Sequence, residues 1–203
     1  MKMGLIVSET GGGSNISMLE EGSYAATCYM LVDIGLQNSE YYGNSSRKVV
    51  IGWEIADEFV EIDGEKKPRV FSARYTASLN EKAILRRDLA AWRGKDFTEA
   101  ELAQFNLRNI VGAPCLIQII HKKSANGKTY ANLASVMKLP KGMAAPKRTL
   151  DTIVYDIDES DPTEVDKLPD WIASQVKASE SYQQRINELK VKDFDDAEGE
   201  VPF

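Results

Sequence analysis

The side chains that most often carry out catalysis do not form a workable set in this chain. His121 is the only histidine, so a histidine metal cluster and a Ser-His triad each lack parts. Gly127-Lys128-Thr129 resembles the end of a phosphate-binding loop, but the first glycine of that motif would fall at Lys122. The acidic residues of segment 156–161 lack the glycine and the distal glutamate of a calcium loop, which indicates a solvated acidic segment. These residues are Asp156, Asp158, Glu159 and Asp161. We therefore expect no enzyme, no metal and no other cofactor.

Basic residues and aromatic rings occur together at four places, which favours a surface for single-stranded nucleic acid. Such surfaces hold phosphates with Lys and Arg, and hold bases by stacking on rings for about 1–3 kcal/mol per base. The four groups are Tyr41, Tyr42, Arg47 and Lys48; Lys66, Lys67, Arg69 and Phe71; Arg74 and Tyr75; and Lys122, Lys123, Lys128 and Tyr130.

The rings in these groups differ in how well they suit stacking. Tyr41 and Tyr42 lie in a polar loop, and Tyr130 shares its strand parity with polar residues, so these three are the preferred stacking candidates. Phe71 is equally compatible with stacking and with the core. Trp53 shares its parity with Val49, Ile51 and Ile55, which indicates core packing.

Charge is distributed unevenly along the chain. Residues 1–150 hold 20 Lys and Arg against 16 Asp and Glu, a net of +4, whereas residues 151–203 hold 5 against 15, a net of −10. A mildly basic body joined to a strongly acidic end predicts that the body meets phosphate and the end meets another partner.

The elements that must position these residues follow from hydrophobic periodicity. Strand patterns run from Ser23 to Gly35, from Lys48 to Ala56 with a bend or bulge expected at Gly52, and from Phe59 to Tyr75 as a hairpin or one long strand. The period then becomes helical over 80–93 and 98–107, with a capping box at Thr98 and Glu101. Strands return at 115–121 and 130–139, joined by a turn at Asn126-Gly127.

Three strands, a helical connection and two more strands is the order of a five-stranded OB barrel, which binds oligonucleotides on its strand 2–3 face and its L12 and L45 loops. An unrelated small α+β domain with the same order is the alternative. We expect a flexible arm over 1–17, the mainly β OB domain over 18–150, an acidic linker with short amphipathic helices over 151–192, and a disordered acidic tail over 193–203.

The last residues carry the most specific motif of the sequence. The acidic segment 193–203 resembles the C-terminal tail of bacterial single-stranded-DNA-binding proteins, which ends in Asp-Ile-Pro-Phe. The tip corresponds to Val201, Pro202 and Phe203, and the acidic run corresponds to Asp195, Asp196, Glu198 and Glu200. The resemblance implies that the terminal Phe docks into a basic-rimmed pocket of host replication or repair proteins. Ala197 and Gly199 interrupt the acidic run.

The body of the chain, in its strand from Gly22 to Gly35 and its segment from Pro169 to Tyr182, is more similar to bacteriophage-encoded replication proteins, including those that bind single-stranded DNA. The resemblance implies sequence-nonspecific binding of single-stranded DNA in phage replication or recombination. A recombination mediator, a replication-initiation accessory and a protein-interaction adaptor that does not bind DNA are the alternatives, and a homodimer is left open. No apolar run is long enough for a membrane span or a signal peptide, so we expect a protein in the cytoplasm of the bacterial host. Cys28 and Cys115 are expected to be buried free thiols.

Overall fold

The computed structural model describes residues 17–38, 43–62 and 64–198, and the protein is mainly β. The six strands are β1 (Gly22–Asn38), β2 (Ser45–Ile62), β3 (Glu65–Thr76), β4 (Pro114–Lys123), β5 (Thr129–Met137) and β6 (Ile153–Tyr155). The four α-helices are α1 (Ile84–Arg93), α2 (Glu99–Gln104), α3 (Asp170–Ala178) and α4 (Glu180–Glu198). Short 3-10 helices cover Leu107–Ile110 and Pro162–Lys167. The predicted order of three strands, a helical connection and two strands is confirmed.

The strands form an antiparallel sheet in the order β3-β2-β1-β4-β5, and β6 also pairs with β1. The β1–β4 register runs from Gly22 opposite Ile119 to Thr27 opposite Pro114. In the β4–β5 ladder the register shifts between Gln118 and Ile119, which leaves Ala134 of β5 without an opposite residue. Such a bulge moves the residues on its two sides onto opposite parities.

The central strand β1 is buried along both faces. Its sequence alternation predicts that Thr27, Tyr29 and Asp33 face away from the core, but every residue from Ala26 to Gly35 is buried. Cover for the second face comes from distant parts of the chain. The Thr27 hydroxyl, for example, donates to the carbonyl of Pro146 at 3.3 Å. A single strand pattern does not contain this information, because it depends on what packs against the strand.

The sequence predicts a bend or bulge of β2 at Gly52, and the structure shows special backbone features at two residues of this strand, Gly52 and Asp57. A Cβ at Gly52 would lie 2.7 Å from the Met30 methyl carbon and 3.1 Å from the Tyr29 ring. Glycine is therefore required at this position by the close approach of β1. The left-handed backbone in β2 is found at Asp57, with φ of 59°.

The helical connection between β3 and β4 is anchored through tryptophan. Trp92 on α1 packs against Trp53 with ring centroids 6.1 Å apart, and its indole N–H donates to the Pro114 carbonyl at 2.9 Å. Trp53 is fully buried, as predicted. The helix ends at Gly94 in the left-handed conformation. The predicted capping box is present at the start of α2.

The chain divides into two compact units that share the long strands. Unit 1 comprises Met1–Met30, Ile51–Ala73 and Ser78–Thr152, and unit 2 comprises Leu31–Val50, Arg74–Ala77 and Ile153–Phe203. Within unit 1, the carboxylate of buried Glu54 accepts backbone N–H groups of Thr149 and Leu150 at 2.8–3.0 Å.

Unit 2 has an apolar core of its own. The 3-10 helix at Pro162–Lys167, α3 and α4 contribute buried residues to it, including Val165, Ile172, Val176 and Tyr182. A Cβ at Gly35 would lie 2.6 Å from the Ser179 hydroxyl, so β1 and the start of α4 are in close contact. The short helices predicted in this part of the chain are thus present, and they are folded against strands.

The acidic end differs from its expected disorder. Helix α4 continues to Glu198, so residues 193–198 are helical, while residues 199–203 lie outside the described residues. A helix that is already nucleated adds one hydrogen bond for each residue it gains. Along the described chain, no helix combines the length and apolarity that crossing a membrane requires.

Candidate nucleic-acid interface

The β4–β5 hairpin of unit 1 is closed by a three-residue loop. The N–H of Gly127 donates to the Ser124 carbonyl at 2.9 Å, and the N–H of Ser124 donates to the Lys128 carbonyl at 2.9 Å. Gly127 has φ of 80°, the left-handed conformation that follows a type I turn in such loops. The predicted hairpin is confirmed, and its Asn-Gly pair sits in a loop one residue longer than the tightest form.

The register of this hairpin places a cation opposite an aromatic ring. Lys122 is the ladder partner of Tyr130, and residues directly opposite in an antiparallel pair project from the same face. Lys122, Lys123 and Lys128 are exposed, and Tyr130 is half-buried. This hairpin therefore presents the Lys122 ammonium on the same face as one accessible ring, with two further exposed lysines close by in the chain.

The segment around this hairpin has no carboxylate. From Leu102 to Leu150 the chain contains eight Lys and Arg residues and not one Asp or Glu. The positive potential of the hairpin is therefore not offset by acidic side chains close in sequence. The comparison of residues 1–150 with residues 151–203 hides this carboxylate-free segment, because it averages the charge over a long stretch. Counting charge over shorter windows would have revealed the segment.

The β2–β3 hairpin of unit 1 carries a second combination of cation and ring. Phe59 has 47 % of its surface exposed, and the Lys66 ammonium lies 4.2 Å from the centroid of its ring. Lys67 is exposed and forms an ion pair with Glu65 at 3.3 Å. Phe71 is half-buried. Sequence reasoning missed Phe59, although its parity with Asp57 and Glu61 was the available signal of exposure.

Two other residues of unit 1, Arg69 and His121, contact the segment that precedes β1. The Arg69 guanidinium donates to the carbonyl of Ser17. The Nε2 atom of His121 lies 2.8 Å from the Leu19 carbonyl oxygen, and the His121 N–H donates to Glu21 at 2.6 Å. Arg69, predicted to bind nucleic acid, is thus engaged with backbone, and His121 contacts both Leu19 and Glu21.

Arg47, predicted to bind phosphate, is neutralised by carboxylates of unit 2. Its guanidinium donates to Asp33 at 3.0 Å and to Asp158 at 2.6 Å, and Asp156 lies 3.8 Å away. The hydrogen bond to buried Asp33 is the main cause of the raised pKa of Arg47. The charge of Arg47 is therefore balanced by carboxylates within the fold. The ring of Tyr75 is only 5 % exposed, so it is placed for packing and not for stacking on a base.

The remaining predicted residues are placed as follows. Lys48 donates from Nζ to the Thr76 hydroxyl at 2.6 Å. Arg74 is exposed and donates to the side-chain carbonyl of Gln175. Tyr41 and Tyr42 lie outside the described residues. The side chains of Asp195, Asp196 and Glu198 are not described, and Glu200, Val201, Pro202 and Phe203 also lie outside the described residues.

Unit 1 also contains a cleft of about 820 Å³ that the sequence did not predict. It lies between α1, α2, the first residues of β4 and the end of β5, and its apolar lining includes Leu89, Trp92, Phe105, Ile110, Pro114 and Leu139. Arg93 lines the cleft, with its guanidinium carbon 4.3 Å from the Phe97 ring centroid and 5.2 Å from that of Phe105. The same guanidinium donates to Glu101.

No cluster of three or more metal-ligating side chains occurs within the part of the chain that the structure describes. The two hairpins of unit 1 combine exposed lysines with accessible rings, an arrangement that can hold phosphates and stack bases. No protein-family model matches the chain, and no curated protein matches it significantly.

Proposed function

We propose that this protein binds single-stranded DNA without sequence preference, through the β2–β3 and β4–β5 hairpins of unit 1. The binding would serve bacteriophage DNA replication or recombination. The observation that carries the proposal is the β4–β5 hairpin, where Lys122 is opposite Tyr130 inside a run of 49 residues that has eight cations and no carboxylate. Lysine contacts phosphate as a mobile point charge and a ring stacks on any base, so neither contact selects a sequence.

The strand order supports an OB-type barrel as the scaffold. In this fold β1 is central, with β2 and β3 on one side, β4 and β5 on the other, and a helical connection between β3 and β4. The order β3-β2-β1-β4-β5 and the position of α1 and α2 agree with that description. In an OB barrel the β2–β3 and β4–β5 hairpins contribute to the oligonucleotide surface, and these are the two hairpins that combine lysine with a ring.

The acidic end is proposed to recruit partners. Its resemblance to the tails of bacterial single-stranded-DNA-binding proteins supports host replication or repair proteins as those partners, with Val201, Pro202 and Phe203 as the recognised tip. An apolar ring beside acidic groups suits an apolar pocket with a basic rim.

Binding is tested by fluorescence anisotropy of labelled single-stranded and double-stranded oligonucleotides at several salt concentrations. We expect preference for the single strand and a logarithmic affinity that falls linearly with the logarithm of salt, because each phosphate contact releases counterions. Equal affinity for both forms, or no binding at low salt, would refute the proposal.

The two hairpins are separated by paired variants. Replacing Lys122, Lys123 and Lys128 with Gln should flatten the salt slope by about 2, at about 0.7 per lost contact on a single strand. Replacing Lys66 and Lys67 with Gln should flatten it less, because Lys67 is already paired with Glu65. An unchanged slope in both variants would place the phosphate contacts elsewhere.

A protein-interaction adaptor is the second candidate function, and the apolar cleft beside Arg93 is the observation that favours it. Mostly apolar clefts with a few polar groups are typical of binding sites. This reading predicts no binding of either DNA form at any salt concentration, so the anisotropy experiment distinguishes the two functions.

A further inference from the structure

Two cations of unit 2 lie near each other and form no ion pair with a carboxylate of the described residues. Burial lowers the pKa of Lys48, and the nearby charge of Arg74 lowers it further. Burial also lowers the pKa of Arg74. Their hydrogen-bond partners, Thr76 and Gln175, are both neutral. Among the described residues, no carboxylate forms an ion pair with either side chain, so both charges remain available to an external anion.

Arg47, which precedes Lys48, is a cation of the same unit whose charge is balanced by carboxylates. It contacts Asp33 and Asp158, and these contacts raise its pKa. Lys48, the next residue, has no such contact with a carboxylate in the described part of the chain, and its pKa moves in the opposite direction. The difference separates a cation that is paired with carboxylates from a cation whose described hydrogen-bond partner is a neutral hydroxyl.

An exposed indole lies on the same helix as Gln175, the hydrogen-bond partner of Arg74. Trp171 on α3 is 37 % exposed, whereas Trp53 is fully buried and Trp92 is 6 % exposed. Gln175, one helical turn further along, donates from its amide to the Trp171 carbonyl at 2.9 Å and accepts from Arg74. Side chains four residues apart share one face of a helix, so the indole and the Arg74 guanidinium flank the same glutamine.

We propose that Lys48, Arg74 and Trp171 form a second contact for single-stranded nucleic acid, in unit 2, where the two cations hold a phosphate and the indole stacks on an adjoining base. The inference rests on the proposed function and extends it from the hairpins of unit 1 to a site that includes no hairpin residue. A large aromatic ring exposed beside uncompensated charge is the combination that single-strand surfaces use.

A phosphate between the two cations removes their mutual repulsion. Like charges in a partly buried site destabilise each other, and an anion that enters gains from both at once. Two contacts of this kind should contribute about 1.4 to the salt slope of single-strand binding. Stacking on the indole should add an affinity that is insensitive to base identity.

The test uses the full chain and a long thymidine oligonucleotide, with a uridine oligonucleotide in a parallel arm to distinguish DNA from RNA as the source of the ligand. Trp171 is the most exposed of the three tryptophans, so its emission should be quenched by a stacked base. We expect quenching in the parent and little or none in Trp171→Phe. Quenching that persists in Trp171→Phe would overturn the assignment of the indole.

Affinity is measured separately, by anisotropy of a labelled oligonucleotide, so that it does not depend on the fluorophore removed. Trp171→Ala should bind roughly 5- to 100-fold more weakly, and the Lys48→Gln, Arg74→Gln double variant should lose about 1.4 from the salt slope. Circular dichroism establishes that each variant is folded. The matched control is Lys167→Gln, because Lys167 is exposed in the same unit and paired with Glu164 at 3.3 Å.

The outcomes separate this inference from the function on which it rests. If the parent binds single strands and both variants bind as tightly as Lys167→Gln, the unit 2 contact is wrong and the hairpin surface stands. If the parent binds no single strand in the anisotropy assay, the proposed function fails and this inference fails with it.

Discussion

Tyr130 and its ladder partner Lys122 are the pair on which the proposed binding surface depends most directly. Tyr130→Ala should weaken single-strand binding roughly 5- to 100-fold, because stacking is worth about 1–3 kcal/mol per base. Tyr130→Phe keeps the ring and should bind within about threefold of the parent. Anisotropy titration measures both, and equal loss in the two variants would mean that the hydroxyl, and not the ring face, makes the contact.

Arg47 should behave as a structural residue and not as a phosphate contact. Arg47→Gln leaves the buried carboxylate of Asp33 without its cation, which should lower the free energy of unfolding by about 1–3 kcal/mol. Its three carboxylate neighbours already neutralise it, so the salt slope of DNA binding should stay the same. Urea unfolding and anisotropy measure the two quantities, and a flatter slope in a folded variant would restore Arg47 to the binding surface.

Single residues also mark the limit of what sequence alone predicts. Burial of Trp53 followed from the parity of its strand, and the same parity signal was present for Phe59. The burial of Tyr75 and the pairing of Arg47 were not visible in the sequence for another reason. Whether a ring is covered, or a cation is paired, depends on residues more than a hundred positions away, such as Asp158. Local pattern carries no trace of such partners.

The start of α2 illustrates how an element can make stability depend on pH. The Thr98 N–H donates to the Glu101 carboxylate at 2.9 Å, and Lys95 and Arg93 also contact it. The backbone hydrogen bond is the first cause that lowers the pKa of Glu101 from 4.5 to about 2. A carboxyl with a lowered pKa in the folded state stabilises the fold above its unfolded pKa, and the contribution disappears as the pH falls toward 2.

We therefore expect the parent to lose stability between about pH 4.5 and pH 2 partly through this group. Glu101→Gln cannot titrate, so the difference in unfolding free energy between parent and variant should be largest near neutral pH and should shrink on acidification. Urea midpoints measured across this range supply the comparison. A difference that is independent of pH would show that the carboxylate charge has no part in the cap.

At the level of elements, prediction succeeded wherever the signal was local. The capping box, the Asn-Gly hairpin and the five main strands all follow from spacing within a few residues. Strand β6 and the burial of both faces of β1 were missed, because both depend on residues more than a hundred positions later in the chain, such as Pro146 and Ser181. The bulge at Ala134 likewise changes the parity between Tyr130 and Lys138, which a strict two-residue period cannot foresee.

The whole molecule combines a body with a charge of +4 and an acidic end with a charge of −10. Replacing Asp195, Asp196, Glu198 and Glu200 by their amides should tighten single-strand binding at low salt, because a polyanionic segment competes with DNA for the same cations. The gain should vanish at high salt, where the screening length falls from about 10 Å at 0.1 M to about 3 Å at 1 M. Anisotropy at both salt concentrations provides the measurement. A gain that survives high salt would contradict electrostatic competition.

Recognition by partners is a separate property of the same segment. Phe203→Ala keeps every charge, so it should leave the salt dependence of DNA binding unchanged while it abolishes capture of replication or repair proteins from a bacterial lysate. Identification of captured proteins by mass spectrometry, with the parent and the amide variant beside it, supplies the comparison. Equal capture by Phe203→Ala would show that the Val-Pro-Phe tip is not what the partners read.

The reactivity of the two cysteines can report how often the strands of the sheet separate. Cys28 on β1 and Cys115 on β4 are buried free thiols, as predicted, and burial raises the pKa of Cys28 to about 12. A thiol reagent attacks the thiolate, so each sulfur must first reach water through a transient separation of strands. Where reclosing is faster than modification, the labelling rate relative to an unstructured thiol equals the fraction of time that the strand is open. Alkylation under native conditions therefore measures the local free energy of the central strands without denaturant.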